Sequence, residues 1–285
     1  MSTSKLAVAA LLLNALVWGL SWWPFRQLQS HGLHPLWSTA IIYAFAVFCV
    51  LLISRVDWQA MLRNRALWVL ALASGLTNVG FNWAVTAGDV LRVVLLFYLM
   101  PAWSVLVAWW ILGEKPSRSS IARLSLALAG VLLVLKTPDS PWPVPQSLPD
   151  FLALMGGFSF ALTNTMLRHQ KASPSAERML AMFTGGAVLA GVVALAISVA
   201  APPAPSAYWL GILGALCVAF LLGNLALQYG AARLRASTTA LVMLSEIVFA
   251  SGSAIALGAA SLSGKEALGG TLILLAAAWA TLSER

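Results

Sequence analysis

Residues 6–28 read LAVAALLLNALVWGLSWWPFRQL, and between Lys5 and Arg26 no residue carries a charge. A hydrocarbon core about 30 Å thick needs roughly 20 apolar residues per helical crossing, and this stretch supplies them. It is too long for the core of a secretory signal and lacks a convincing cleavage site, so it reads as a retained first helix. The same pattern recurs along the chain. Apolar runs lie near 6–28, 36–55, 66–87, 90–112, 119–136, 149–169, 178–200, 208–231, 236–259 and 266–282, cut by turn-forming or charged residues such as Gly32 to Pro35, Arg63 to Arg65, Gly113 to Pro116, Pro138 to Pro149 and Pro202 to Pro205. Ten runs predict an all-α integral membrane protein of ten transmembrane helices. The very short links after the third and eighth runs predict tight antiparallel hairpins.

Composition agrees. Hydrophobic residues make up 60% of the 285 and charged residues 9%, where a water-soluble domain needs about a quarter charged. The 13 tryptophans suit membrane interfaces and apolar ligand cavities alike. The net charge of +8 is not a nucleic-acid footprint, because the cations sit singly or in small groups between apolar runs. With the amino terminus in the cytoplasm, the inner side receives Lys5, Arg55, Arg63, Arg65, Lys115, Arg118, Arg123, Arg168, Lys171, Arg178, Arg233, Arg235 and Arg285. The outer side receives Arg26, Arg92, Lys136 and Lys265. That asymmetry predicts an inner-membrane protein with both termini cytoplasmic. The two cysteines, Cys49 and Cys217, lie in separate apolar runs and form neither a disulfide framework nor a metal cluster.

A shift of 142 residues brings Trp18-Gly19-Leu20-Ser21 onto Phe160-Ala161-Leu162-Thr163, Arg26 onto Arg168, Asn82 onto Asn224, Ala84 onto Ala226 and Gly88 onto Gly230. One shift serves both the first and the third helix. Five helices per half is an odd number, so residues 1–142 and 143–285 are expected to be two repeats inserted upside down relative to each other, with substrate near the midplane between them.

Spacings of three and four gather polar and aromatic residues on single helix faces. Asn14, Trp18, Ser21 and Trp22 form one stripe; Ser74, Asn78, Phe81 and Asn82 another; Ser159, Phe160, Thr163 and Asn164 a third; Asn224 and Gln228 a fourth. Amides do not face hydrocarbon at a profit. The stripes are therefore expected to line a substrate cavity, with amides for polar groups and Trp18, Trp22, Phe81 and Tyr98 for an apolar or cationic part. The alternative role is hydrogen-bonded glue between helices. Glu246 is an acid well inside a run, either titrating during a transport cycle or satisfied structurally by neighbours such as Ser245. Asp89 and Arg92 read as a local surface pair or as an outer gate. His31 and His34 read as solvated loop residues, two being a poor metal site. Gly252 with Ala256, and Ala254 with Gly258, predict close helix packing.

Leu16-Val17-Trp18-Gly19-Leu20-Ser21, Phe97-Tyr98-Leu99-Met100-Pro101 running to Leu112-Gly113-Glu114-Lys115, and Ser245-Glu246-Ile247 followed by a glycine-rich tenth run resemble the ten-helix EamA branch of the drug/metabolite transporter superfamily. Within it the chain is similar to the YddG-like exporters of aromatic and other amino acids. The resemblance implies two halves around a central cavity, and export of small amphipathic metabolites by alternating access, amino acids first. Other metabolites, nucleobases or drugs are the alternative cargo. Two positions depart from the family pattern. Its glutamate-proline pair reads Glu246-Ile247, so no proline enforces a kink there, and the second-half counterpart of Gly113-Glu114 reads Ala259-Ala260.

Other classes find no support. The chain has no phosphate-binding Gly-x-x-x-x-Gly-Lys-Ser/Thr loop, no His-Glu-x-x-His and no nucleophile–histidine–acid set. A cation exporter of the four-helix type would place an acid in the first helix, where this chain has Asn14. A channel would need a charged ring or carbonyl filter. No enzyme activity, cofactor or metal is expected. The expected partners are a small-molecule substrate and the bilayer, not nucleic acid, and a monomer would suffice.

Overall fold

The computed structural model describes residues 3–87, 90–135, 145–257 and 264–283. Every regular element among them is helical: α1 Thr3–Ser30, α2 Pro35–Ile53, α3 Trp58–Arg63, α4 Arg65–Ala87, α5 Val90–Phe97, α6 Met100–Leu112, α7 Arg118–Leu135, α8 Leu148–His169, α9 Ser175–Ala196, α10 Ala207–Ala231, α11 Ala236–Met243, α12 Ser245–Ala256 and α13 Gly264–Leu282. Five stretches are long and apolar enough to cross a bilayer: Ser4–Ser30, Pro35–Ile53, Ser175–Ala196, Ala207–Ala231 and Ala236–Ser253. Large apolar side chains point outward around the bundle, with Trp110 at 84% and Ile53 at 80% exposure. In water that surface would aggregate, and in lipid it is the ordinary exterior.

The ten expected runs are all present, with two differences. The fourth run is broken at Tyr98 and Leu99 into α5 and α6, just ahead of Pro101, whose missing N–H and fixed φ favour a helix start. The ninth is broken at Leu244 into α11 and α12 with no proline at all. The chain also forms α3 between the second and third spans. There Asp57 Oδ1 accepts from Gln59 N and Ala60 N, both at 3.0 Å, and so caps the short helix.

Nor, among the described residues, do the spans with short links pack as close hairpins. The first of these links includes Asp89 and lies outside the described residues. Beyond it α5 and α6 lean on α8, and α11 touches α10 only sparingly. The main contacts join the two halves: α4 lies along α8 and α9, α1 along α10 and α12, α2 along α9, and α7 along α13. The Lys136 position and the Ala259-Ala260 pair also lie outside the described residues, as does Gly258.

Close approach is made by glycines other than the expected ones. Around Gly252 there is open space. Instead, a Cβ on Gly19 of α1 would stand 2.8 Å from the Glu246 carbonyl oxygen, and one on Gly185 of α9 would collide with the backbone of Ala71 in α4. These contacts let backbones touch where lipid provides no hydrophobic drive between helices.

The links on one face draw together: Asn64 Nδ2 donates to Gln170 Oε1 at 2.9 Å, and Arg168 lies 3.9 Å from Glu114 and donates to the Ala232 carbonyl. This basic face also carries Arg178, buried and bonded to the Gln170 and Ser173 carbonyls. On the opposite face Trp37 Nε1 donates to the Ala200 carbonyl at 3.0 Å, and His31 stacks on Tyr208 with ring centres 4.9 Å apart. His34 is not simply solvated, because its Nδ1 accepts from Leu36 N at 3.2 Å and caps α2.

Two predictions follow from these contacts. Gly185→Val is expected to destabilise by about 3 kcal/mol or more through overpacking against α4. Gly211→Val, placed where no neighbour stands within 4 Å, should shift the thermal midpoint in detergent little. For His34, partial burial holds the imidazole below its ordinary value of 6.5, so the unfolded chain takes up the proton first. Capping is then intact above about pH 6.5 and lost as pH falls through the lower folded value. Amide exchange at Leu36 to Ser38 should speed up, beyond its intrinsic pH dependence, between about pH 7.5 and about pH 5.5. In His34→Asn, which caps without titrating, that extra change should vanish.

Candidate functional site

A side chain from each of several helices reaches one point at the centre of the bundle. Trp18 comes from α1, Thr77 and Phe81 from α4, Phe97 from α5, Phe160 from α8, Met243 from α11 and Glu246 from α12. The space they enclose is about 20 Å³, room for little more than one water molecule. Its wall is aromatic: the Phe97 ring centre lies 4.7 Å from that of Phe81 and 6.1 Å from that of Phe160. Trp18 is braced from behind by Phe220, edge-on at 4.8 Å, and its Nε1–H has no protein partner among the described residues.

Glu246 and Tyr98 share a side-chain hydrogen bond, so the breaks of the fourth and ninth spans meet here. Each break has local causes. Gly157 of α8 admits the Phe97 carbonyl at the end of α5; a Cβ there would lie 2.5 Å from that oxygen. In the ninth span Ser245 Oγ donates to the Val242 carbonyl at 2.7 Å, taking one of the acceptors that the break frees. Glu246 then falls in the first turn of α12, where unpaired N–H groups favour a carboxylate. Gly19 brings α1 against the same turn.

The residues picked from the sequence separate into three groups. Trp18 and Phe81 face the central space, with Glu246 beside them and Tyr98 one hydrogen bond behind. A second group ties helices together. Tyr43 of α2 donates to Asn78 Oδ1 at 3.1 Å and shares a hydrogen bond with Asn224 of α10. Asn82 Nδ2 donates to Thr39 Oγ1 at 2.6 Å. Gln228 accepts from Arg178 at 3.1 Å and donates to the Ser175 carbonyl at 3.1 Å. Trp22 donates to Ser253 Oγ at 3.0 Å, and Ser21 Oγ bonds back to the Trp18 carbonyl.

The third group is buried without partners among the described residues: both amide atoms of Asn14, both of Asn164, and the Thr163 hydroxyl. Arg92 has its backbone in α5, while its proposed partner Asp89 lies outside the described residues.

Phe160, a member of the third stripe, completes the wall together with Thr77, Phe97 and Met243, which no stripe included. Phe97 carried a signal, standing in the Phe97-Tyr98-Leu99-Met100-Pro101 motif, and Phe160 falls on Trp18 at the shift of 142. Met243 carried none. Among the described residues no three His, Cys, Asp or Glu side chains gather as a metal site.

Comparison with known proteins adds three findings. The model of the EamA-like transporter family matches residues 5–136. The uncharacterized transporter YojE of Bacillus subtilis strain 168 is 28% identical over 169 residues, which cover 56% of this chain and 54% of that protein, so the match spans about half the length of each. A solved crystal structure superposes with a TM-score of 0.79 at 19% identity, covering 100% of this chain and 99% of that one, and establishes the fold alone. With its motifs at the two broken spans and this match over residues 5–136, the first part of the chain is similar to the EamA-like transporter family.

Proposed function

We propose that the protein is a secondary transporter that exports small amphipathic metabolites, amino acids including aromatic ones above all, by alternating access through the central space. The observation that carries the reading is the meeting of two broken spans, through Tyr98 and Glu246, at the wall of an aromatic box. Broken spans that face each other at mid-membrane are how secondary transporters expose backbone and polar groups to a solute. Trp18, Phe81, Phe97 and Phe160 offer ring faces to an apolar or cationic group, and Glu246 offers one negative charge to an ammonium.

The reading includes residues 1–142 and 143–285 as inverted repeats. It is supported by contacts that exchange in pairs: α1 lies on α10 and α12 much as α8 lies on α4 and α6. Rocking one half against the other would open the space to each side in turn. The basic face is placed in the cytoplasm of an inner membrane, following the cation asymmetry. Other metabolites, nucleobases or drugs are the alternative cargo.

Purified protein in liposomes, preloaded with unlabelled amino acid, should drive saturable counterflow of the labelled one. Trp18→Ala is expected to weaken apparent affinity about tenfold or more, the equivalent of 1.4 kcal/mol. Absence of counterflow with every amino acid, from folded protein, removes the amino-acid reading. A second variant addresses the acid. Glu246→Gln should raise the half-saturating concentration of a substrate with a free ammonium roughly tenfold or more, and that of its N-acetyl analogue much less. An equal effect on both would make Glu246 a structural acid.

A further inference from the structure

Three helices of the aromatic box each carry an unpartnered polar side chain one turn nearer the basic face. Asn14 stands four residues before Trp18 in α1, Asn164 four residues after Phe160 in α8, and Thr239 four residues before Met243 in α11. All three helices have their near ends on that face. Arg168, close to the end of α8, donates to the Ala232 carbonyl just ahead of α11. A Cβ on Gly230, near the end of α10, would meet Leu11 and the Ala7 carbonyl oxygen, which brings the start of α1 to the same level. Four residues along a helix return to the same face after a rise of about 6 Å. Trp18, Phe160 and Met243 converge on one small space, so the polar residues one turn on converge as well. Helix α11 packs against both α1 and α8.

The hydrogen-bonding atoms of this layer are unused among the described residues. Asn14 and Asn164 are fully buried, and neither the oxygen nor the nitrogen of either amide has a partner. The buried hydroxyls of Thr239 and of Thr163, beside Asn164, have none either. Ser104 adds a third such hydroxyl from α6, the helix that leads from the break at Leu99 to the basic face and packs against α8 and α11. Asn78, Asn82 and Gln228 are buried too, but each is bonded to another helix. The layer therefore does not act as glue. Buried polar groups left unpaired are costly and rare, and here they sit together at one end of the solute space.

Their chemistry sets what they would take. None of these side chains is charged, so a carboxylate or ammonium would lose its hydration there without gaining a counter-ion. The amide oxygens need a donor, while the amide nitrogens and hydroxyls offer protons. The matching group is neutral and both donates and accepts. We infer that the layer is a subsite for an uncharged hydroxyl of the carried solute, above all the phenolic hydroxyl of a solute whose ring occupies the aromatic box. The inference rests on the box receiving that solute. The spacing suits a phenol: its oxygen lies about 2.8 Å from the ring centre and its hydrogen bond adds about as much again, close to the rise of roughly 6 Å between box and layer. Glu246 lies the other way, three residues beyond Met243. Ammonium, ring and hydroxyl would then stand in that order from Glu246 to Asn164. A site whose buried polar groups bind a hydroxyl discriminates strongly against the analogue that lacks it.

The test measures equilibrium binding to the full chain in detergent by calorimetry, with tyramine against phenethylamine and tyrosine against phenylalanine. The members of each pair differ only in the ring hydroxyl. In whichever pair binds, the hydroxylated member should show roughly tenfold higher affinity or more. Asn14→Leu and Asn164→Leu replace an amide by an apolar group of similar size, and each should lower that preference about threefold or more while holding or raising the thermal midpoint. The double variant should abolish it. Thr239→Val, which exchanges only the hydroxyl for a methyl group, should lower it in the same direction. Equal affinities within each pair overturn the subsite and leave the aromatic box standing, as does a preference that the folded double variant retains in full. Binding of neither pair overturns the subsite and the box reading together.

Discussion

Hydrocarbon offers no hydrogen bonds, so every backbone N–H and C=O within the membrane must find a partner in the protein. That constraint leaves helices as the only element and makes each interruption expensive. The chain interrupts two spans all the same, at Tyr98–Leu99 and at Leu244, and it turns both interruptions inward. Around them the freed groups are managed by short-range means: the Ser245 hydroxyl on the Val242 carbonyl, glycines that let neighbouring backbones press close, and the Tyr98–Glu246 hydrogen bond joining the two breaks. The site is thus a consequence of where continuous helix is given up.

The same constraint explains the amides. Asn78, Asn82, Asn224 and Gln228 could not face lipid, but most of what they do is reach across to another helix. Such bonds average about 0.6 kcal/mol in a membrane bundle, too little to hold it alone. They act where α2, α4, α9 and α10 cross, beside the glycine contacts of α4 with α9, and the two together fix which faces meet. The aromatic wall begins on the neighbouring face of α4, at Thr77 and Phe81.

Much of this architecture could be read from the sequence, because lipid imposes length and polarity on every crossing. The ten runs, their breaks at Gly32–Pro35 and Gly113–Pro116, and the inward placement of Trp18, Phe81 and Glu246 all follow from apolar length and the cost of burying polar atoms. The break at Leu244 did not follow. No proline or glycine marks it, and the break depends on packing by α1 through Gly19 and on a serine bond back to Val242. Helical spacing also places Asn78 and Phe81 on one stripe but cannot say that Tyr43, on another helix, takes up the amide. Met243 entered the wall only because the helix breaks just after it. Helix α3 was missed because six residues at an interface need no apolar run, only the cap from Asp57.

The distribution of unpaired groups bears on how such a bundle would open. Beyond Trp18 Nε1, the buried polar atoms without partners include those of Asn14, Thr163, Asn164 and Thr239. Asn164 stands five residues from the end of α8 and Thr239 three residues into α11, both helix ends belonging to the basic face. Asn14 lies on the same side of α1's midpoint. Each such group costs about 1–3 kcal/mol while it stays dry. No comparable row lies towards the opposite face among the described residues, where Trp37 and Tyr208 are hydrogen-bonded to their neighbours. In the proposed cycle, then, separating α8 and α11 from α1 on the basic face would hydrate groups that are now unsatisfied. Opening either face would break bonds already made, on the basic side those of Arg168 with Glu114 and with the Ala232 carbonyl. On the basic side of the closed space of about 20 Å³, the hydration of Asn14, Asn164 and Thr239 would offset that loss.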